Sequence, residues 1–105
     1  MIHLGNIASI RDHEYTKESL PTGIVSNGVF LKLCKHISLD YPVLESLSYS
    51  NHLVSNDTIV LILSVVGRPR SFQEGKTWDG YDIVDIFADG HVYQCFRSSL
   101  SVITL

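Results

Sequence analysis

The stretch YDIVDIFADGHVYQCFR, from Tyr81 to Arg97, decides most of what the sequence predicts about the fold. Two runs rich in β-branched and aromatic residues flank Asp89-Gly90, and both runs have the composition of strands. An Asp-Gly pair strongly favours a two-residue hairpin turn, because both turn positions need a positive φ. We therefore predict a C-terminal β-hairpin that turns on Asp89 and Gly90.

This turn fixes which residues of the two strands face each other. The predicted pairs are Ala88 with His91, Phe87 with Val92, Ile86 with Tyr93, Asp85 with Gln94, Val84 with Cys95, Ile83 with Phe96 and Asp82 with Arg97. Neither face of this hairpin is mostly polar, as a solvent face would normally be. We expect the rest of the chain to cover the face that carries Asp85; the alternative is a partly open apolar patch of the kind that marks a binding surface.

Two further segments complete the predicted fold. Thr58 to Val66 is apolar and largely β-branched, which predicts a central strand covered on both faces. The segment from Gly28 to Ser38 is predicted to be a helix that Ser26 or Asn27 caps. Its apolar residues recur at i, i+3, i+4 and i+7, namely Phe30, Leu33, Cys34 and Ile37. The sequence therefore predicts a single α+β domain over residues 1–105, with one antiparallel sheet of three to five strands packed against one main helix.

Composition narrows the classes of function. The formal net charge of −3 disfavours binding to phosphate backbones, and no apolar run is long enough to span a membrane. No glycine-rich phosphate loop is present, so no nucleotide or other cofactor is implied. The two cysteines, Cys34 and Cys95, are expected to be reduced thiols in a cytoplasmic protein.

The residues that could carry chemistry lack diagnostic spacing. Two Cys/His pairs occur in the sequence, Cys34 with His36 and His91 with Cys95. On a helix, the side chains of Cys34 and His36 would point in different directions. We therefore predict no metal site. Asp82 and Asp85 would lie on opposite faces of a strand and could not share one substrate. We predict that the protein is not an enzyme.

The segment from Arg68 to Gly80 is predicted to be a long loop that contributes to binding. It mixes basic, acidic and aromatic residues, and it leads directly into the hairpin. The predicted partner-binding residues are Arg70, Phe72, Trp78, Asp79, Tyr81, Asp82 and Asp85. Asp85 lies on a mostly apolar face, so its carboxylate needs either hydrogen bonds from neighbouring side chains or a cation supplied by a partner.

These observations favour a non-catalytic protein-binding module. Small, mildly acidic, cofactor-free domains recur among intracellular inhibitors, such as bacterial immunity proteins that neutralise a toxin and phage-encoded blockers of host defence. A basic toxin, such as a nuclease, would suit the acidic chain because complementary charge steers association. The alternative is a small nucleic-acid-binding regulatory domain that uses the 68–80 loop, and a third candidate is a subunit that completes a sheet in a larger assembly.

Overall fold

The structure is a computed structural model that describes residues 5–12, 23–40, 47–69 and 81–103. These ranges contain eight β-strands and a short 3-10 turn at Arg97–Ser99. The strands are β1 (Ile7–Ile10), β2 (Ile24–Ser26), β3 (Phe30–His36), β4 (Ser48–Ser55), β5 (Ile59–Gly67), β6 (Ile83–Ala88), β7 (His91–Phe96) and β8 (Leu100–Val102).

All eight strands belong to one antiparallel sheet that curls into a half-barrel. Along the sheet the order is β2, β3, β7, β6, β5, β1 and β8, and β4 pairs with β3 as well. One edge of β3 pairs with β4, so its other edge is shared by β2 and β7. The pairing of β3 with β7 is limited to Cys34 opposite Gln94. The described residues contain no helix with the length and apolarity that crossing a lipid bilayer requires.

The predicted α+β fold is wrong, because the segment from Gly28 to Ser38 forms a strand where we expected the main helix. Its apolar spacing mimics a helix because two different cores bury this strand. Leu31 and Leu33 join the larger core, whereas Cys34 and Ile37 belong to a second cluster. The sheet is also larger than the three to five strands predicted.

The residues expected to cap that helix instead stabilise the turn between β2 and β3. The Asn27 side-chain oxygen accepts a 2.9 Å hydrogen bond from the Phe30 backbone N–H, and the Ser26 hydroxyl accepts one from the Gly28 N–H. Gly28 has a φ of 101°, which a residue with a side chain rarely adopts. Side-chain oxygens that accept from nearby backbone N–H groups serve helix starts and turns alike, so this signal did not distinguish the two.

The predicted C-terminal hairpin is confirmed, with its register. Strands β6 and β7 pair from Ala88 opposite His91 to Ile83 opposite Phe96, as the turn required. Asp89 and Gly90 have φ values of 49° and 82°, the positive values of a type I′ turn.

The strand predicted at Thr58 to Val66 is present as β5, which pairs with β6 on one edge and β1 on the other. Its predicted coverage on both faces is wrong, since Ile59 and Leu61 are exposed while Val60 and Ile62 are buried. The strand therefore alternates from Ile59 to Ile62 like a half-buried strand, and Val65 and Val66 near its end are both exposed.

The main core lies on the inner face of the sheet, which we define as the side that carries Val84, Ile86, Tyr93 and Cys95. Residues from seven of the eight strands bury their side chains there. They are Ala8, Ile10, Ile24, Leu31, Leu33, Val54, Val60, Ile62, Val84, Ile86, Ala88, Tyr93 and Cys95, with Leu100 of β8 packed against them.

Candidate functional site

The outer face of the hairpin, which carries Asp85 and its neighbours, is covered at one end. Ile83 and Phe96 are opposite each other there, and both are fully buried. They form a second apolar cluster with Cys34, Ile37 and Leu47, against which Tyr49 and Tyr81 also pack. We call this end the covered half of the outer face.

A row of polar side chains crosses the middle of the outer face, and we call it the polar row. The two oxygens of the Asp85 carboxylate accept hydrogen bonds at 2.8 Å, one from the Ser64 hydroxyl and one from the Gln94 amide. The Gln94 side-chain oxygen accepts a third, also at 2.8 Å, from the backbone N–H of Ile37. The polar row thus joins β5, β6 and β7 to the segment that follows β3.

The structure shows the hydrogen bonds that one of the two sequence-based explanations of Asp85 requires. Hydrogen bonds from neighbouring side chains satisfy both carboxylate oxygens, so the aspartate needs no cation from a partner to be stable. Neither donor is charged, and among the described residues no cation pairs with it. The Asp85 carboxylate therefore lies beside the apolar side chains of the outer face with neutral donors as its described partners.

Beyond the polar row, the outer face is open and apolar. Four side chains from four neighbouring strands are opposite one another in register: Ile7, Leu61, Phe87 and Val92. We call this set the apolar row. Leu61, Phe87 and Val92 are 38%, 42% and 56% exposed, and Ile59, two residues before Leu61 on the same face, is 55% exposed. At the usual spacing of strands the row is roughly 14 Å long.

The charged groups around the apolar row are mainly acidic. Asp85 precedes Phe87 by two residues on the same face, and Asp89 follows it in the hairpin turn. At the far end, beyond Ile59, the Asp57 carboxylate pairs with the Arg11 guanidinium at 2.7 Å, and both side chains are exposed. At the hairpin end, Asp85 is therefore the carboxylate that borders the apolar row, because the Asp89 carboxylate contacts the Nε2 atom of His52 on β4.

The structure describes three of the seven residues predicted to bind a partner. Tyr81 is half-buried and packs edge-on against Phe96 in the covered half, and the Asp82 carboxylate accepts a 3.1 Å hydrogen bond from Arg68. Asp85 lies in the polar row. These three residues do not form one open surface. The remaining four lie outside the described residues: Arg70, Phe72, Trp78 and Asp79.

Neither cysteine is placed as a nucleophile or as part of a metal site. Both thiols are buried, and burial raises the pKa of Cys34 to about 11 and that of Cys95 further still. The Cys34 thiol donates to the carbonyl oxygen of His36, whereas Cys95 packs in the main core on the other side of the sheet. Among the described residues, no three or more His, Cys, Asp or Glu side chains are grouped to hold a metal ion.

Sequence reasoning did not identify the apolar row. The sequence predicts that the outer face of the hairpin is too apolar for a solvent face, and the predicted pairing of Phe87 with Val92 is confirmed. The sequence does not predict how β5 pairs with β6, and only that pairing places Leu61 opposite Phe87.

No family model matches the chain, and neither a curated protein nor a solved structure is detectably similar to it.

Proposed function

We propose that this chain is a non-catalytic protein-binding domain that binds its partner through the apolar row. The observation that carries the proposal is the in-register exposure of Leu61, Phe87 and Val92 on three paired strands. Large aromatic and aliphatic side chains at the centre of a polar rim are the usual anchors of a protein interface. Phe87 lies between the other two and is the proposed anchor.

The partner is a protein that presents an apolar patch flanked by lysine or arginine. Asp85 lies two residues from Phe87 on the same face, and the chain as a whole carries a formal charge of −3. Complementary charge would speed association and orient the partner on the apolar row. An inhibitor of a basic toxin is one function of this kind.

A cytoplasmic location is part of this proposal. Its support is the pair of free, buried thiols, Cys34 and Cys95, which fit a compartment that keeps cysteines reduced.

The nucleic-acid alternative depends on the 68–80 loop, most of which lies outside the described residues. An exposed Phe87 on a sheet could in principle stack on a base. The carboxylate of Asp85 on the same face and the formal charge of −3 on the chain would repel the phosphate backbone, so the described surface favours a protein partner.

The test compares two phenylalanines of equal exposure. Phe87 and Phe30 are 42% and 44% exposed, but Phe30 lies at the start of β3, outside the apolar row. The wild-type chain, Phe87→Asp and Phe30→Asp are used as baits in lysate of the source cell, and any captured protein is purified and titrated by calorimetry. A random oligonucleotide is titrated in parallel at two salt concentrations.

We expect a partner with a basic rim whose affinity falls by on the order of 2 kcal/mol or more with Phe87→Asp and stays unchanged with Phe30→Asp. Its association should also slow as salt rises. Equal binding by both variants would overturn the assignment of the apolar row. Salt-sensitive binding of the oligonucleotide would favour the nucleic-acid alternative instead, and self-association of the purified chain lost in Phe87→Asp would make the partner a second copy.

A further inference from the structure

A second set of exposed apolar side chains lies on the outer face of the sheet, where β2, β3 and β4 pair. Val25 of β2 is opposite Lys32 of β3, and Lys32 is opposite Leu53 of β4. We call these three in-register side chains the lysine row. Because side chains alternate along a strand and Leu31 is buried in the main core, Lys32 and its two partners lie on the other side of the sheet.

The apolar side chains of the lysine row are as exposed as those of the apolar row. Val25 and Leu53 are 46% and 47% exposed, and Phe30, two residues before Lys32 on the same face, is 44% exposed. Lys32 lies between Val25 and Leu53 and is half-buried. A lysine in such a position covers apolar surface with its stem and keeps its ammonium group in water. The lysine row is therefore an apolar surface with a cation at its centre.

The part of the sheet that carries the lysine row contains no acidic residue. Residues 23–38 and 47–56 include all of β2, β3 and β4, and they contain Lys32 and Lys35 but neither Asp nor Glu. Among the described residues, no carboxylate pairs with Lys32. An acidic chain therefore has one surface on which the charges are positive.

The lysine row and the apolar row are complementary. Phe87 of the apolar row lies two residues from Asp85, whose described partners are neutral hydrogen-bond donors. Each surface thus combines exposed apolar side chains with one charge, and the two charges have opposite signs. At the usual spacing of strands the lysine row is roughly 10 Å long, so it fits within the roughly 14 Å of the apolar row. The lysine row is an apolar patch with a lysine, which is the kind of surface proposed above for the partner.

One copy of the chain cannot bring its own two rows together. Cys34, two residues after Lys32 on the same face, belongs to the covered half, and it is opposite Gln94 of the polar row. Val92 of the apolar row lies on the other side of Gln94 along β7. The covered half and the polar row therefore separate the two rows within one sheet, and a contact between them requires two copies.

We propose that the lysine row of one copy docks on the apolar row of a second copy when no other partner occupies that row. This contact rests on the proposed function, because it names a second copy as a partner of the same apolar row. It buries Phe87 against the apolar side chains of the lysine row and brings Lys32 to the side that carries Asp85. Both rows are short, so the contact is small, weak and reversible, and a tighter partner can displace it.

The two docking surfaces differ, and this determines the form of the assembly. In a contact between unlike surfaces, each copy keeps one free row for the next copy, so the association continues head to tail. Sedimentation velocity of the purified full chain at increasing concentration should therefore show species that grow beyond a dimer.

Mixing two variants tests the contact. Phe87→Asp disrupts the apolar row and Leu53→Asp disrupts the lysine row, so each variant alone should self-associate at least roughly tenfold more weakly than the wild type. An equimolar mixture of the two should form a pair that stops at two copies, because each variant supplies the row that the other lacks.

Matched variants control for added charge. Val66→Asp adds the same charge at a valine of β5 that is 41% exposed and belongs to neither row. Lys32→Glu and Lys35→Glu change the net charge equally, but only Lys32 lies in the lysine row. Lys32→Glu should weaken association several-fold, whereas Lys35→Glu and Val66→Asp should leave it nearly unchanged. Urea unfolding of every variant verifies that it is folded.

Three results would overturn the head-to-tail contact. They are a chain that stays monomeric at every concentration, self-association of Leu53→Asp at wild-type strength, and folded Phe87→Asp and Leu53→Asp chains that do not pair in the mixture. The second result would mean that two apolar rows pack on each other. The proposed function fails by a different result, namely a captured foreign partner that binds Phe87→Asp as tightly as the wild type, so the two failures are distinguishable.

Discussion

The covered half and the open half of the outer face are built by the same two strands, yet only one of them is packed. In the covered half, Ile83 and Phe96 are fully buried beneath side chains that include Ile37 and Leu47. In the open half, four residues further along β6 and β7, Phe87 and Val92 remain exposed. Both halves carry apolar side chains on these two strands. They differ in whether other side chains lie over them.

The polar row marks the boundary between the two halves. Its hydrogen bond from the backbone N–H of Ile37 to Gln94 holds the segment after β3 over the covered half. The open half has no comparable cover among the described residues, although its side chains are as apolar. Under the proposed function, a partner covers this open apolar row.

Truncation of Phe96 should give the largest effect. Phe96→Ala removes a fully buried ring from the covered half, and we expect a loss of about 3 to 5 kcal/mol in the free energy of unfolding. The matched variant in the open half, Phe87→Ala, should cost less than about 1 kcal/mol because water already reaches that ring. Urea unfolding of both variants measures the difference, and similar losses would mean that the two halves are equally packed in solution.

Strain in the hairpin turn should give the next largest effect. Gly90 has a φ of 82°, so Gly90→Val should destabilise the domain by about 1 to 3 kcal/mol. Gly90→Asn is the control, since asparagine tolerates positive φ and should cost much less. Both variants are compared by thermal unfolding. A Gly90→Val variant as stable as the wild type would contradict the register on which both halves depend.

Loss of the polar row should have a smaller effect, confined to the boundary. Gln94→Ala leaves one oxygen of Asp85 and the backbone N–H of Ile37 without their partner, which should cost about 1 to 2 kcal/mol. Ser64→Ala removes one exposed hydrogen bond to the same carboxylate and should cost less. In hydrogen-exchange measurements, the Ile37 amide should exchange faster in Gln94→Ala and at the wild-type rate in Ser64→Ala. Unchanged protection in both variants would show that the polar row does not hold the segment after β3 over the covered half.

The last effect is confined to alkaline solution and concerns the pH dependence of the covered half. Burial raises the pKa of the Cys34 thiol from its ordinary value of 9.0 to about 11, so between these values the folded chain keeps a proton that the unfolded chain has lost. Stability should therefore be unaffected by this thiol below pH 9 and fall as pH rises from 9 to 11. Cys34→Ala should show a shallower fall in urea unfolding over that window. Some slope should remain, because burial also raises the pKa of Tyr49, to about 12. Identical slopes would show that the thiol is not buried.

The hairpin could be predicted from the sequence because its information is local. Asp89-Gly90 fixes the turn, and the turn fixes the register, so every pair down to Ile83 with Phe96 followed from two residues. The edge that β5 presents to β6 could not be predicted in the same way. Two bulges shift that pairing, and they depend on contacts distant in sequence.

The segment from Phe30 to His36 misled the prediction for a physical reason. A strand buried by one core alternates, but this strand enters the main core at Leu31 and Leu33 and the second cluster at Cys34. The resulting spacing equals that of a helix stripe, and local propensity cannot separate the two cases. The same limit applies to the apolar row, whose exposure depends on which residues the rest of the chain covers.

The unfolding free energy of Phe87→Asp tests most directly whether the open half is open. A carboxylate at an exposed position that only a partner covers keeps its water, so we predict a loss of less than about 1 kcal/mol relative to the wild type. If the chain itself buries Phe87 in solution, the same substitution would place an unpaired charge in an apolar environment and cost several kcal/mol. A loss of that size would contradict the account of the apolar row as a free surface, and with it the proposed function.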